Sequence, residues 1–120
     1  MKKDPLIFIS HVSDSINNIE SFSKNLSKDK FIKDKLRQSA IIRQLEIIGE
    51  ATKNLPLEFR KKYPETKWKE IAGLRDKITH HYFGINLNIV WEVVEKDIPK
   101  LKENIKNILD DLKEENSNKT

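Results

Sequence analysis

The sequence predicts an all-α bundle of four principal helices, and three observations support this prediction. Turn residues are scarce, with three Gly and four Pro in 120 residues, too few for an all-β sandwich. Charged residues make up 35% of the chain, above the norm of roughly 25% for globular domains. Apolar residues recur at spacings of three and four, which is the period of one helix face. Short connections between these segments imply antiparallel neighbours.

The composition also limits the class of protein. A chain of this length points to one domain, residues 1–120, with a real hydrophobic core. The absence of cysteine excludes a disulfide framework, a thiolate zinc site and a cysteine nucleophile. The N-terminal apolar run is too short for a signal peptide, and no stretch approaches the length of a membrane span. We therefore expect a soluble cytoplasmic protein.

The first predicted helix begins at Asp4-Pro5, since Asp is a good N-cap and Pro suits the first helical position. The polar segment Asn25–Asp29 then predicts a connection. One apolar stripe, which extends into that segment, contains Ile9, Val12, Ile16, Ile19, Phe22 and Leu26.

The second predicted helix runs from Phe31 or Asp34 to Leu55, and Pro56 ends it. Gly49 lies inside this helix, where it costs about 1 kcal/mol relative to Ala, so we expect another segment to approach closely there. A polar row consists of Arg43, Glu46 and Glu50. It is either a surface ion-pair row or a polar patch beside a site. The apolar stripe contains Leu36, Ala40, Ile41, Leu45, Ile48 and Ala51.

A short helix is predicted from Leu57 to Tyr63, followed by a third long helix with Thr66 as its N-cap. Gly84 follows the third helix. The apolar stripe of the third helix contains Trp68, Ile71, Leu74 and Ile78.

The last helix is predicted to start at Asn86 or Asn88, and Pro99 should kink or divide it. From about Glu114 the tail is polar and expected to fray. The apolar positions beyond Pro99 are Leu101, Ile105, Ile108 and Leu112.

The segment from Gly73 to Gly84 concentrates residues that can carry chemistry: Arg75, Asp76, His80, His81 and Tyr82. At ~100° per residue, Arg75 and Tyr82 lie on one side of a helix, whereas Arg75 and His80 lie roughly 140° apart. Arg75 and His80 therefore converge only if the helix loosens near His80 or if two chains meet. This geometry favours a composite site in a dimer.

Structural roles for the same residues stay open. A His near a helix C-terminus is often a cap, and Tyr82 could be a core residue. Adjacent histidines do not share a helix face, and the His pattern at i and i+4 is absent, so no metal site is predicted.

The side chains of this segment suffice for metal-independent cleavage of RNA. Histidine moves protons near neutral pH, and arginine holds a phosphate through two hydrogen bonds. In that reaction the 2′-hydroxyl attacks the adjacent phosphate, and the imidazole serves as base or acid. Because the sequence shows no carboxylate cluster of the metal-nuclease type, a two-metal DNase is disfavoured.

At this point the chain resembles a known family. The segment from Arg75 to Tyr82 resembles the Arg-x4-His-x-Tyr motif of HepT-like toxins in the HEPN superfamily. Four residues separate Arg75 from His80, and one residue separates His80 from Tyr82. The resemblance extends from about residue 5 to residue 113. It includes Arg43, Ile47–Ala51, Tyr63-Pro64, Trp68, Ile71–Asp76, Val90-Trp91 and Asp97–Pro99.

The resemblance implies an up-and-down bundle of four to five helices that forms a homodimer, with a shared cleft where the motif helices meet. Arg75 and His80 would be the catalytic pair of a metal-independent ribonuclease without a cofactor. Asp76 is the polar residue that commonly follows the Arg. His81 stands where the family often has a small residue, and it is expected to support the site or contact RNA.

The resemblance also implies a partner. Tyr82 matches the tyrosine that an MNT-type nucleotidyltransferase antitoxin modifies with AMP. The added bulk and negative charge beside Arg75 would obstruct RNA phosphates.

Two other functions compete with the ribonuclease toxin. The chain could be a non-catalytic helical dimer that binds a nucleotidyltransferase, but the intact Arg75, His80 and Tyr82 set favours the toxin. A basic helical DNA binder is weaker. The net charge is only +4, no helix-turn-helix pairing stands out, and basic residues such as Lys33 and Arg60 are interspersed with acids.

Overall fold

A computed structural model describes residues 4–80 and 84–118, and it confirms the all-α helical bundle. No helix in these ranges is long and apolar enough to cross a membrane. The helices are α1 (Pro5–Ser23), α2 (Lys28–Lys33), α3 (Lys35–Lys53), α4 (Leu57–Lys61), α5 (Trp68–Ala72), α6 (Leu74–Ile78), α7 (Leu87–Glu92) and α8 (Ile98–Asn118). Two short antiparallel strands, β1 (Thr79–His80) and β2 (Gly84–Ile85), follow α6, and a π-turn (Val93–Asp97) joins α7 to α8.

Helices α1, α3 and α8 form the body of the bundle. The predicted start of α1 is confirmed, because the Asp4 carboxylate accepts a hydrogen bond from the Leu6 amide at 2.9 Å. The N-terminal turn of α3 lies beside the end of α1, where the Arg37 guanidinium donates to the Phe22 carbonyl. Lys102 on α8 pairs with Glu20 at 2.8 Å. The core between these helices includes Ile9, Val12, Ile16, Ile41, Leu45, Ile48, Leu101, Ile105 and Ile108.

The segment between α1 and α3 differs from its prediction, because it contains a short helix as well as a connection. Ser27 caps α2 by accepting from the Lys30 amide, and Asp34 caps α3 by accepting from the Arg37 amide. Leu36, which we placed in the buried stripe, is 80% exposed. The chain breaks at Asp34, and Phe31 on α2 is the buried apolar residue there instead.

The third long helix is also a wrong prediction, because the segment forms two five-residue helices that break at Gly73. Thr66 does not cap α5. Lys67 occupies the cap position, and the buried Thr66 hydroxyl has no hydrogen-bond partner within the described ranges. The close approach expected at Gly49 is confirmed. A Cβ built there would lie 3.5 Å from the carbonyl oxygen of Ile71 on α5.

The last helical stretch begins as predicted, with the Asn86 side chain accepting from the amides of Asn88 and Ile89. Pro99 divides this stretch without ending it. The π-turn lets the Ile98 amide reach the Val93 carbonyl, five residues back. Proline needs this wider turn because its ring crowds the carbonyl four residues earlier. Helix α8 then continues to Asn118, beyond Glu114, where we expected a frayed tail.

Candidate active site at the end of the α6 helix

Helix α6 presents Arg75 to solvent because its apolar residues hold it from the other side. Leu74 and Ile78, four residues apart on one face, are both buried in the core. Arg75 and Asp76 lie between these two anchors and are exposed. The backbone of the arginine is therefore fixed by core packing, while its guanidinium forms no hydrogen bond or ion pair with another described residue.

The chain leaves the helix immediately before His80, and this changes the geometry assumed from the sequence. Thr79 has extended dihedral angles (φ −97°, ψ 126°), and its hydroxyl donates to the Arg75 carbonyl at 2.7 Å. The backbone of His80 belongs to β1, paired with Gly84 of β2. The ideal-helix angle of roughly 140° therefore does not relate Arg75 to His80. One of the two conditions for convergence, a helix that loosens near His80, is met.

The hairpin that follows α6 is fastened to the bundle at its base. The Asn86 amide donates to the Ile78 carbonyl at 2.8 Å, directly beyond the paired residues Thr79 and Ile85. Gly84 has a φ of 76°, a left-handed conformation that suits glycine. The predicted site residues His81 and Tyr82 lie outside the described residues, as does the side chain of His80.

The electrostatic surroundings of Arg75 leave it available to an anion. In the described ranges no carboxylate forms an ion pair with Arg75, and Asp76 has no basic partner within 4 Å. The neighbouring Lys77, by contrast, pairs with Asp97 of the π-turn at 3.2 Å. That pair ties α6 to the π-turn, so it belongs to the support of the site.

The sequence did not indicate the groove that lies beside Lys77. It has a volume of about 110 Å³ and an apolar floor that includes Ile71, Leu74 and Val93. The π-turn forms one wall, and Pro99, which makes a wider turn favourable, was its only sequence signal. Arg75 does not line this groove.

The two glutamates of the polar row on α3, Glu46 and Glu50, have positions that suit a structural role. Glu50 is exposed and lies 3.8 Å from Lys53, a surface pair that contributes little. Glu46 is half-buried and precedes Gly49 by one turn, on the side where α5 approaches. Neither carboxylate contacts Arg75 through a described hydrogen bond or ion pair. Across residues 4–80 and 84–118 there is also no cluster of three His, Asp or Glu residues suited to a metal ion.

The chain is an all-α bundle with an exposed arginine on a short helix and a histidine five residues later on a hairpin. A comparison with protein families identifies the class of this bundle, since the family described as "Ribonuclease HepT-like" matches residues 12–108. The chain belongs to the HepT-like family. No solved structure matches the chain.

Relatives carry names of the same kind. A "Putative RNase" from Methanocaldococcus jannaschii is 44% identical over 98% of this chain and 97% of its own length. A "Probable ribonuclease HepT" from Thermococcus cleftensis is 42% identical over 85% of this chain and 93% of its length. A third relative, also from M. jannaschii, is named "Gamma-glutamylcyclotransferase and putative RNase". It is 50% identical over 99% of this chain, which spans about half of that longer protein, 54%.

Proposed function

We propose that this protein is the toxin of a HEPN/MNT-type toxin–antitoxin pair and acts as a metal-independent endoribonuclease in the cytoplasm. One observation carries the proposal. Arg75 stands exposed on a helix anchored by Leu74 and Ile78, and the helix ends so that His80 follows on a hairpin. Membership in the HepT-like family and the ribonuclease names of the relatives support the same substrate class.

The proposed reaction uses only side chains of this chain. The 2′-hydroxyl of RNA attacks the adjacent phosphorus, the bond to the 5′-oxygen breaks, and a 2′,3′-cyclic phosphate and a 5′-hydroxyl result. His80 accepts the proton from the 2′-hydroxyl or donates one to the leaving oxygen. Arg75 binds two non-bridging phosphate oxygens and stabilises the charge that grows on them. Asp76 and His81 support the site or contact RNA.

We further propose that the active form is a homodimer with a composite cleft. A two-fold dimer that joins the α6 faces would bring two copies of Arg75 and His80 to one cleft. One imidazole could then act as base while the His80 of the partner subunit acts as acid. Exposed residues on this face, including Ile85 of β2, are available for such contact. Light scattering at micromolar concentration should give twice the monomer mass, and a monomer would contradict the composite cleft.

The proposed control of this toxin is AMPylation of Tyr82 by an MNT-type nucleotidyltransferase, in which the Tyr82 hydroxyl attacks the α-phosphorus of ATP and pyrophosphate leaves. A phosphodiester on Tyr82 brings a negative charge to the site and competes with RNA phosphate for Arg75. Incubation with the partner enzyme and ATP should add the mass of AMP, or a multiple of it, to the wild type and not to Tyr82→Phe. Modification of Tyr82→Phe to the same extent would assign the target to another residue.

The nuclease proposal is tested by cleavage of a labelled RNA mixture in EDTA. Wild type should cleave, whereas His80→Ala and Arg75→Ala should each lose at least about 100-fold in rate, the scale of acid–base catalysis for the histidine and of charge stabilisation for the arginine. His11→Ala is a control, because His11 is exposed on another helix, and its activity should stay near wild type. Circular dichroism should show unchanged helical content.

The intact mass of the wild type belongs to the same experiment, because an AMP already present on Tyr82 would block activity. No cleavage by folded, unmodified wild type would contradict the nuclease proposal. Such a result would support the alternative of a non-catalytic dimer that binds the nucleotidyltransferase. Full cleavage by His80→Ala would remove that residue from the mechanism.

A further inference from the structure

The net positive charge of this protein resides in one short segment. Residues 24–37 contain six Lys or Arg and two Asp, whereas the rest of the chain has 17 basic and 17 acidic residues. The whole excess of +4 is therefore concentrated in 14 residues. Such a concentration makes a local positive electrostatic field.

The structure folds this segment around an open depression where α1, α2 and α3 meet. The depression has a volume of about 620 Å³. We define the basic corner as the five basic side chains that line it: Lys24, Lys30, Lys33, Lys35 and Arg37. Several positive charges around one concave surface favour an extended anion over a single small one.

The lysines of the basic corner are not neutralised by the protein. The carboxylate in the depression, Asp34, accepts from the Arg37 amide at 3.0 Å and from its guanidinium at 2.7 Å. Those hydrogen bonds lower the pKa of Asp34, so its charge is committed to Arg37. In the part of the chain that the structure describes, none of the four lysines has a carboxylate within 4 Å.

The backbone that carries these lysines is held firmly. Phe31 is fully buried, and its ring centroid lies 5.3 Å from that of Trp91 on α7. The Gln38 amide donates to the carbonyls of Phe31 and Ile32 at 2.8 and 2.9 Å. Because the backbone is already ordered, binding costs mainly the freedom of the lysine side chains.

The basic corner and the candidate active site are linked through α7. Phe31 packs on Trp91 of α7, and α7 begins two residues after β2, the strand that pairs with His80. A strand of RNA with one phosphate at Arg75 has further phosphates on either side. Helix α2, which carries Lys30 and Lys33 of the basic corner, packs on the helix that follows this hairpin and offers positive charge to such phosphates.

We propose that the basic corner binds the phosphate backbone of the RNA substrate outside the bond that is cleaved. The inference rests on the proposed ribonuclease function, and it adds where the rest of the substrate lies. Lysine ammonium groups act as point charges that position a backbone without reading its bases. The corner would therefore set affinity and salt dependence, while Arg75 and His80 carry out the reaction.

The test measures binding separately from cleavage. A fluorescein-labelled 30-nucleotide RNA is titrated by anisotropy with the full-length His80→Ala protein at several salt concentrations. In this background the test variant changes Lys24, Lys30, Lys33 and Lys35 to Gln. A matched control removes the same charge from four exposed lysines without ion-pair partners in the described ranges. These are Lys61, Lys62, Lys69 and Lys113.

The test variant should weaken RNA binding at least tenfold at 0.1 M salt. The slope of log affinity against log salt should become shallower by about 0.7 for each phosphate of a single strand that the protein no longer neutralises. The control variant should lose no more than threefold. Circular dichroism must show equal helicity for both variants, and a variant with Lys33 and Lys35 alone replaced provides a milder second test.

Several results would overturn the inference. Equal losses in the test and control variants would mean that only net charge matters. Unchanged RNA binding, combined with lysine-dependent binding to phosphatidylglycerol vesicles, would assign the corner to a membrane surface instead. Ile32 and Leu36 are exposed nearby but do not line the depression. The absence of any RNA binding would overturn this inference and the proposed function together.

The remaining outcomes distinguish failure of the basic-corner proposal from failure of the nuclease proposal. If the unmodified wild type cleaves RNA but log affinity depends on log salt with the same slope in both variants, the basic-corner proposal is wrong and the nuclease proposal is supported. If the slope becomes shallower only in the test variant but the wild type does not cleave RNA, the basic corner stands as an RNA-binding surface, whereas its role toward a substrate and the nuclease proposal are both wrong.

Discussion

Replacement of Gly49 by alanine tests how closely α3 and α5 approach. Glycine inside a helix costs about 1 kcal/mol relative to alanine, so the substitution gains that amount if the new methyl group fits. The space around residue 49 decides whether the substitution raises or lowers the free energy of unfolding. The added Cβ would lie 3.5 Å from the Ile71 carbonyl oxygen and 3.6 Å from that of Ala72, which is ordinary van der Waals contact. We therefore expect Gly49→Ala to stabilise the protein by about 1 kcal/mol.

A larger side chain at the same position should reverse the sign. In Gly49→Val the γ-carbons extend beyond the Cβ into the α5 backbone, which cannot rotate away as a side chain can. Overpacking of this kind costs about 1–3 kcal/mol. Helix α5 leads through Gly73 to α6, so a displaced α5 should also move Arg75 and lower the proposed RNA cleavage.

Urea unfolding provides the assay, followed by circular dichroism and by the fluorescence of the buried Trp68 and Trp91. Gly49→Ala should raise the free energy of unfolding with an unchanged m-value, and the melting temperature should rise by about 4 °C. A loss of stability in Gly49→Ala would refute the reasoning, because it would place α5 closer to α3 than 3.5 Å. Equal stability of the Ala and Val variants would refute it as well.

Three further predictions concern the hairpin, the α2 anchor and pH. Gly84→Ala should destabilise the protein by about 1–2 kcal/mol in urea unfolding, although no described atom lies within 4 Å of a Cβ built there, because its φ is 76°. Phe31→Ala should cost about 3–5 kcal/mol by the same assay, since the ring is fully buried against Trp91. Burial, followed by the charge of Asp111, raises the pKa of Tyr63, so the native state keeps the phenol proton to higher pH than the unfolded chain. Stability should therefore fall as pH rises above about 10. Tyr63→Phe should show a smaller fall in thermal melts, and an identical profile would contradict this cause.

Much of the helical framework was predictable because its signals are local. The N-cap at Asp4, the end of the second helix near Pro56 and the cap at Asn86 each depend on side chains within a few residues. The apolar stripes of α1 and α8 were also correct apart from Leu26, which lies beyond the end of α1 at Ser23, since long amphipathic segments bury the face that their period defines.

The predictions that failed concern residues for which contacts between distant segments choose among local structures that the sequence allows equally. Leu36 and Phe31 are both apolar and lie at the same corner of the bundle, and only the break at Asp34 selects Phe31 for the core. The predicted helix through Thr79 was equally reasonable from its period. The hairpin is held instead by the pairing of Thr79 with Ile85 and by the Asn86 amide, contacts that no helical period predicts.

The sequence by itself determined the all-α class, the principal helices and the identity of Arg75 and His80 as candidate residues. The reason is that periodicity, helix caps and the motif each depend on residues that are close together along the chain. Only the tertiary structure decided that α6 ends before His80 and that Arg75 is anchored by Leu74 and Ile78. It also decided that the positive charge of residues 24–37 surrounds one depression. These features depend on which distant segments share the core, and a pattern along one chain does not contain that information.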